Sequence, residues 1–315
     1  MSSQPSPSAF PDTEAAEARR IVPPNWLEKA PVARTLIALN VSVFLVQLVL
    51  TDGASLMRLP AREALAFGAS YPFATIGEHR WETLLTACFL HNGVLHLGLN
   101  VLVFWMSGPL IERAVGSART ALMYLVAGIF GNLLGVANGW LARTSPWTVG
   151  SSGAIAGVFA AAFVLGWREE GWRGPLTQAT ARWLLFFMAL GLLSSRLGGR
   201  LVDNAAHLGG AVAGALLAMT WRLGHRYSAR ATTTILVVCA GVLVGCIALV
   251  SVRDRTDPFA AMDLQARDEF TIEALREGRC RDAHLGLGAV ERLRANMGPV
   301  SSLRHAVETT CGHLD

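Results

Sequence analysis

Charge is scarce in this sequence of 315 residues: Asp, Glu, Lys and Arg make up 16% of it, against about a quarter of an ordinary soluble domain. Lysine is nearly missing, with Lys29 the only one, so almost every cation is an arginine. The hydrophobic share is 52% and the mean hydropathy +0.40. So apolar a chain is neither disordered nor easily coated as a soluble globule. The formal charge of +4 does not point to nucleic acid, because the arginines are scattered between apolar runs and form no basic stripe. No apolar stretch lies near Met1, so a cleavable signal peptide is not expected. Residues 1–30, rich in Ser, Pro, Ala and Glu, are expected to be a disordered tail. Neither C-x-x-C nor H-E-x-x-H occurs, so no metal and no cofactor are implied.

What remains is apolar segments. Seven of them, at about 34–51, 93–111, 119–141, 150–167, 181–198, 205–222 and 232–251, approach the ~20 residues that a helix needs to cross a bilayer. The expected fold is all-α and polytopic. Its basic loops alternate: Arg19, Arg20, Lys29 and Arg34, then Arg113 and Arg119, then Arg168, Arg173 and Arg182, then Arg222, Arg226 and Arg230 share one side. The other side is poorer in arginine, so the positive-inside rule puts the N-terminus in the cytoplasm and residues 252–315 outside. The first loop, at 52–80, holds an apolar stretch from Leu56 to Tyr71 too short to span. It reads equally as an interfacial or re-entrant segment and as a plain connection.

The second, fourth and sixth segments carry polar residues that a simple anchor would avoid. The fourth opens with Val149-Gly150-Ser151-Ser152-Gly153-Ala154. A serine between glycines at a helix N-terminus has close backbone approach and orphan N–H groups that favour developing negative charge. An acyl-transfer nucleophile needs both, although a helix N-cap uses serine in the same place. His207, in Ala205-Ala206-His207-Leu208-Gly209-Gly210, is costly inside an apolar span unless paired or functional. It is either an interhelical hydrogen-bonding residue or a base able to take a serine proton. Asp203 and Asn204 just before it are explained by helix capping.

In the second segment His96 and Asn100 stand four apart and so share one helix face, where both can donate to an oxyanion. His91 is rotated away from His96 and reads as structural. Gly153 and Gly157, and likewise Gly210 and Gly214, give small-xxx-small faces for close helix packing. The three segments run parallel by alternation, so Ser152, His207, His96 and Asn100 fall at similar depth.

These residues resemble the rhomboid intramembrane serine proteases over about residues 33–225. The match consists of G-x-S-G at Gly150–Gly153, H-x-x-x-x-H-x-x-x-N at His91–Asn100 and A-H-x-x-G-x-x-x-G at Ala206–Gly214. A fourth motif is formed by Gly108, Glu112, Gly116 and Arg119. The resemblance implies a Ser–His dyad without an acid, with Ser152 as nucleophile and His207 as base. It also implies an oxyanion hole of His96, Asn100 and the Ser152 N–H. His91, Glu112 and Arg113 would be structural, and so would Gly150, Gly153, Gly210 and Gly214 near the site. The partners implied are transmembrane protein substrates and the lipid bilayer. An inactive rhomboid-like binder or chaperone is the alternative, though such relatives typically lose the serine or histidine, and both stand here. A solute transporter fits less well, since no inverted repeat and no intramembrane acid is present. One position departs from the family: Glu82-Thr83 stands where Trp-Arg is usual, which puts the packing of the first loop in question.

The expected organisation is a tail at 1–30, a six-helix core at 31–228, a seventh transmembrane helix at 229–252 and a small helical unit at 253–315. In that unit apolar periodicity breaks at Gly278 and near Gly298-Pro299, predicting two or three short amphipathic helices. So small a unit has little core. Cys280 and Cys311, its only cysteines, are therefore expected to pair if it lies outside the cytoplasm.

Overall fold

A computed structural model describes residues 30–143, 147–196, 203–221, 227–294 and 300–312. The expected disordered tail at 1–30 lies almost wholly outside them. Each apolar segment forms a helix: α1 Pro31–Leu50, α2 Val94–Val115, α3 Ser117–Leu141, α4 Ser152–Glu170, α5 Pro175–Arg196, α6 Asn204–Met219 and α7 Ala229–Thr256. Among the described residues no β-strand forms, and one isolated bridge joins Ser70 to Thr148. The fold is all-α.

Five of the seven helices, α1, α2, α3, α5 and α7, are long and apolar enough to cross a membrane. The two that fall short are those carrying Ser152 and His207. Helix α6 has only 16 residues, and α4 ends in Arg168-Glu169-Glu170. Helix α6 packs one small-residue face inward and leaves Leu208, Val212 and Leu216 exposed on the other. Helix α4 is buried without interruption from Gly153 to Ala162, among α3, α5 and α6. Small side chains there replace the bulk that lipid contact would favour. A carbonyl of Gly153 touches Gly210, and one of Gly157 touches Gly214, closely enough to exclude any Cβ.

Glu112 on α2 secures the start of α1. Its carboxylate accepts from the amides of Val32 (3.1 Å) and Ala33 (2.7 Å) and from the Ser117 hydroxyl (2.5 Å). That satisfies two of the donors a helix N-terminus leaves without intrahelical partners. Arg119 is buried and lies over the rings of Trp221 and Tyr227 at 5.1 and 5.4 Å.

The first loop is a packed substructure rather than a plain connection. Short helical turns at Ala61–Ala66 and Thr83–Thr86 bury Leu59, Leu65, Tyr71 and Phe73. Glu82 and Thr83, at the position that departs from the family, are buried too. Glu82 Oε1 lies 3.3 Å from Arg253 Nε on α7 and 3.7 Å from Arg80 Nε. Thr83 donates to the Arg80 carbonyl at 2.7 Å. The departure thus ties the loop to α7.

Beyond α7 come α8 Leu264–Arg276, α9 Cys280–Arg294 and α10 Ser301–Cys311. Gly278 turns the chain between the first two at φ +69°, as the periodicity predicts. Residues 298 and 299 lie outside the described part. Cys280 and Cys311 are bonded, with Cα atoms 5.3 Å apart.

The unit does not stand free. Arg267, fully buried, clasps Glu78 of the first loop with two bonds of 2.6 and 3.1 Å. It also donates to the carbonyls of Phe259 and Ala289. Leu293 packs with Leu65, Tyr71 and Phe73, and Arg80 donates to the Ala260 carbonyl at 2.6 Å. The tail and the first loop share one core.

Candidate active site

The site is built where the N-terminal ends of α4 and α6 meet the start of α2. The contact that sets it is between backbones. A Cβ on Gly153 would stand 3.2 Å from the Ala206 carbonyl oxygen and 3.6 Å from the Gly131 Cα. Ser152 precedes Gly153 and His207 follows Ala206, so the two residues flank the α4–α6 backbone contact on either helix. Gly131 supplies the third wall from α3.

The two neighbouring serines differ in setting. Ser151 is 3% exposed and faces the buried Tyr124 hydroxyl closely enough to interact with it, and that hydroxyl accepts from Asn40 Nδ2 at 2.9 Å. Its side chain thus lies buried beside the Asn40–Tyr124 pair that joins α1 and α3. Ser152 is only partly buried and opens α4, where the first-turn amides have no partner within the helix.

Gly150, at φ +117°, lets the chain turn into α4 beside the His96 ring. A Cβ there would stand 2.6 Å from His96 Cε1 and 2.8 Å from Nε2. The Asn92 amide donates to His96 Nδ1 at 3.3 Å. A neutral imidazole accepting at Nδ1 carries its proton on Nε2, the nitrogen that faces the Gly150 turn. His96 is also close enough to His207 to interact with it electrostatically. Asn100 is buried, and its Nδ2 donates to the His96 carbonyl at 2.9 Å, which leaves one amide proton for another acceptor. The His91 ring meets that of His96 edge-on at 5.2 Å, and its backbone is paired with Gln47 of α1. His91 thus braces His96.

His91, His96, Asn100, Gly150, Ser152, Gly153, His207 and Gly210 lie about this junction, whereas Glu112 and Arg119 lie away from it, against the start of α1 and the rings of Trp221 and Tyr227. Five others, one of them read only as a cap, also belong. Gly128, Gly131 and Gly135 line the α3 face against the Cys88 side chain, α6 and Asp203 respectively. Their spacing of three and four is the small-residue signal already visible on α4 and α6. Thr148 and Asp203 are hydrogen-bonded to each other at 3.0 Å, and no local pattern announces that pair.

The family model for the Rhomboid domain matches residues 78–224. Rhomboid protease AarA of Providencia stuartii is 30% identical over 240 residues, which is 69% of this chain and 82% of that protein. Rhomboid-type serine protease 2 of Emericella nidulans is 36% identical over 146 residues, covering 44% of this chain and 27% of that protein. Rhomboid protease GluP of Bacillus subtilis is 33% identical over 153 residues, covering 48% and 28%. The chain thus spans only about a quarter of the latter two, but most of the first. On that alignment, with the four motifs gathered in one bundle, the chain belongs to the rhomboid family.

Proposed function

We propose that the protein is an intramembrane serine endopeptidase that cleaves transmembrane segments of other membrane proteins. Ser152 Oγ attacks the scissile carbonyl carbon while His207 takes its proton. The tetrahedral oxyanion is held by His96 Nε2–H, Asn100 Nδ2–H and the Ser152 amide. His207 then returns the proton to the leaving amine. A water deprotonated by the same histidine releases the acyl group and restores Ser152. The observation that carries this reading is the close backbone approach of Gly153 and Ala206, the chain neighbours of Ser152 and His207. That relatives over much of the chain are named proteases supports the same activity.

The protein is a multi-pass membrane protein. We place its N-terminus in the cytoplasm and its disulfide-bonded tail outside a bacterial inner membrane. The arginine bias of the loops supports this orientation, as does a disulfide, which persists on the oxidising side. The catalytic core then comprises residues 31–228, and the seventh helix and tail are additions to it.

The test is cleavage of a model transmembrane substrate in detergent by the wild type, Ser152→Ala and His207→Ala. Only the wild type is expected to cut. A correctly folded wild type that binds but never cuts would favour the alternative of a non-catalytic binder.

A further inference from the structure

The carboxylate of Asp203 is shared by three elements. Its Oδ1 accepts from the Ala206 amide at 2.9 Å and so caps α6, one turn before His207. Its Oδ2 accepts from the Thr148 hydroxyl at 3.0 Å, and Thr148 lies two residues before Gly150. On α3, Gly135 leaves the space, since a Cβ there would stand 2.7 Å from Oδ2. A helix cap needs only one oxygen. The second crosses to the segment that leads into the nucleophile helix.

Thr148 is itself held. Its amide donates to the Ser70 carbonyl at 2.7 Å, and its carbonyl accepts from the Ser70 amide at 3.1 Å. The Ser70 hydroxyl donates in turn to the Thr83 carbonyl at 2.9 Å. The first loop, the turn into Ser152 and the helix that bears His207 therefore meet at Thr148, through its backbone on one side and its hydroxyl on the other.

We propose that Asp203 is a positioning residue for the Ser152–His207 pair, locking the Ser152 turn to the start of α6 through Thr148. The inference rests on the reading of these two residues as nucleophile and base. Its physical ground is that attack geometry is steep: a displacement of about 1 Å costs on the order of 10²-fold in rate. An asparagine preserves both links, because its Oδ1 still accepts from Ala206 and its Nδ2 donates to the Thr148 hydroxyl. An alanine loses both.

The test is steady-state cleavage of one transmembrane substrate in detergent. Asp203→Ala should lower kcat by about 10- to 100-fold with KM nearly unchanged, and Asp203→Asn should restore most of it. Thr148→Val should resemble Asp203→Ala, and combining the two should cost no more than the worse single change. A folded Asp203→Ala with wild-type kcat would overturn the proposal, as would losses that multiply. An asparagine variant as impaired as alanine would also overturn it, by assigning the role to charge. Should Asp203→Ala fail to fold, Thr148→Val decides alone, and a wild-type kcat there counts against the link. Ser152→Ala, run beside these, separates the two claims. If it still cuts, the dyad reading fails, and the link is then judged by hydrogen exchange over residues 147–151, which Asp203→Ala must accelerate and Asp203→Asn must not.

Discussion

The Gly150 α-carbon lies against the imidazole of His96, so close that any Cβ at residue 150 would overlap Cε1 and Nε2. This contact fixes where the turn into Ser152 stands relative to the proposed oxyanion donor. It also explains a glycine at φ +117°, a conformation that L side chains rarely adopt.

Gly150→Ala therefore meets two obstacles, a strained backbone worth about 1–3 kcal/mol and displacement of His96. The expected result is a fall in kcat of about tenfold or more, with the protein still folded. Steady-state cleavage beside a thermal melt checks this. A variant with undiminished kcat would show that the His96 ring is free to move without consequence.

His96→Ala and Asn100→Ala should each lower kcat by up to about 10²–10³-fold and leave KM nearly unchanged, because the donors act on charge that develops only in the transition state. Shared duty among three donors makes the single losses smaller than that of the double variant. A rise in KM at constant kcat would instead assign the pair to substrate binding.

Glu112→Ala strips the acceptor from two amides at the start of α1 and from Ser117. Unpaired buried donors cost about 1–3 kcal/mol each, so the melting temperature in detergent should drop clearly, and less for Glu112→Gln, which keeps one acceptor oxygen. An unaltered melt for the alanine variant would remove Glu112 from the support of α1.

The tail has two separable fastenings. Replacing Cys280 and Cys311 by serine opens a link between residues 31 apart, worth about 3–4 kcal/mol in the chain-entropy account. Arg267→Ala leaves the Glu78 carboxylate, 11% exposed, without its main partner, which typically costs about 3–5 kcal/mol. Limited proteolysis should cut the tail faster in both variants. Only Arg267→Ala should also loosen the first loop, read as faster hydrogen exchange over residues 70–83. Equal loop protection in Arg267→Ala and wild type would mean that the shared core holds without the ion pair.

Much of this was written in local sequence. The seven helices follow from apolar run length. The breaks at Gly278 and the start of α4 follow from glycine, and Ser152, His207, His96 and Asn100 stood out as polar residues in apolar helices whose roles the resemblance to rhomboids implies. The Cys280–Cys311 bond was legible because a small unit with two cysteines has few other means of stabilisation. Arg267–Glu78 and Thr148–Asp203 were not, since they join residues 189 and 55 positions apart and no periodicity relates them. The first loop was ambiguous for a related reason: its helical turns are too short to carry a pattern, and its order comes from the tail and α7 packed on it. The small residues of α3, by contrast, held the same signal as those of α4 and α6.

The central claim is that Ser152, and not its neighbour, is the nucleophile served by His207. The measurement that reaches it most directly is treatment of the detergent-solubilised protein with a serine-reactive fluorophosphonate, followed by mass-spectrometric mapping of the adduct. The account predicts a phosphonyl group on Ser152, kept in Ser151→Ala and lost in His207→Ala. An adduct on Ser151, or undiminished labelling of Ser152 without His207, would contradict it.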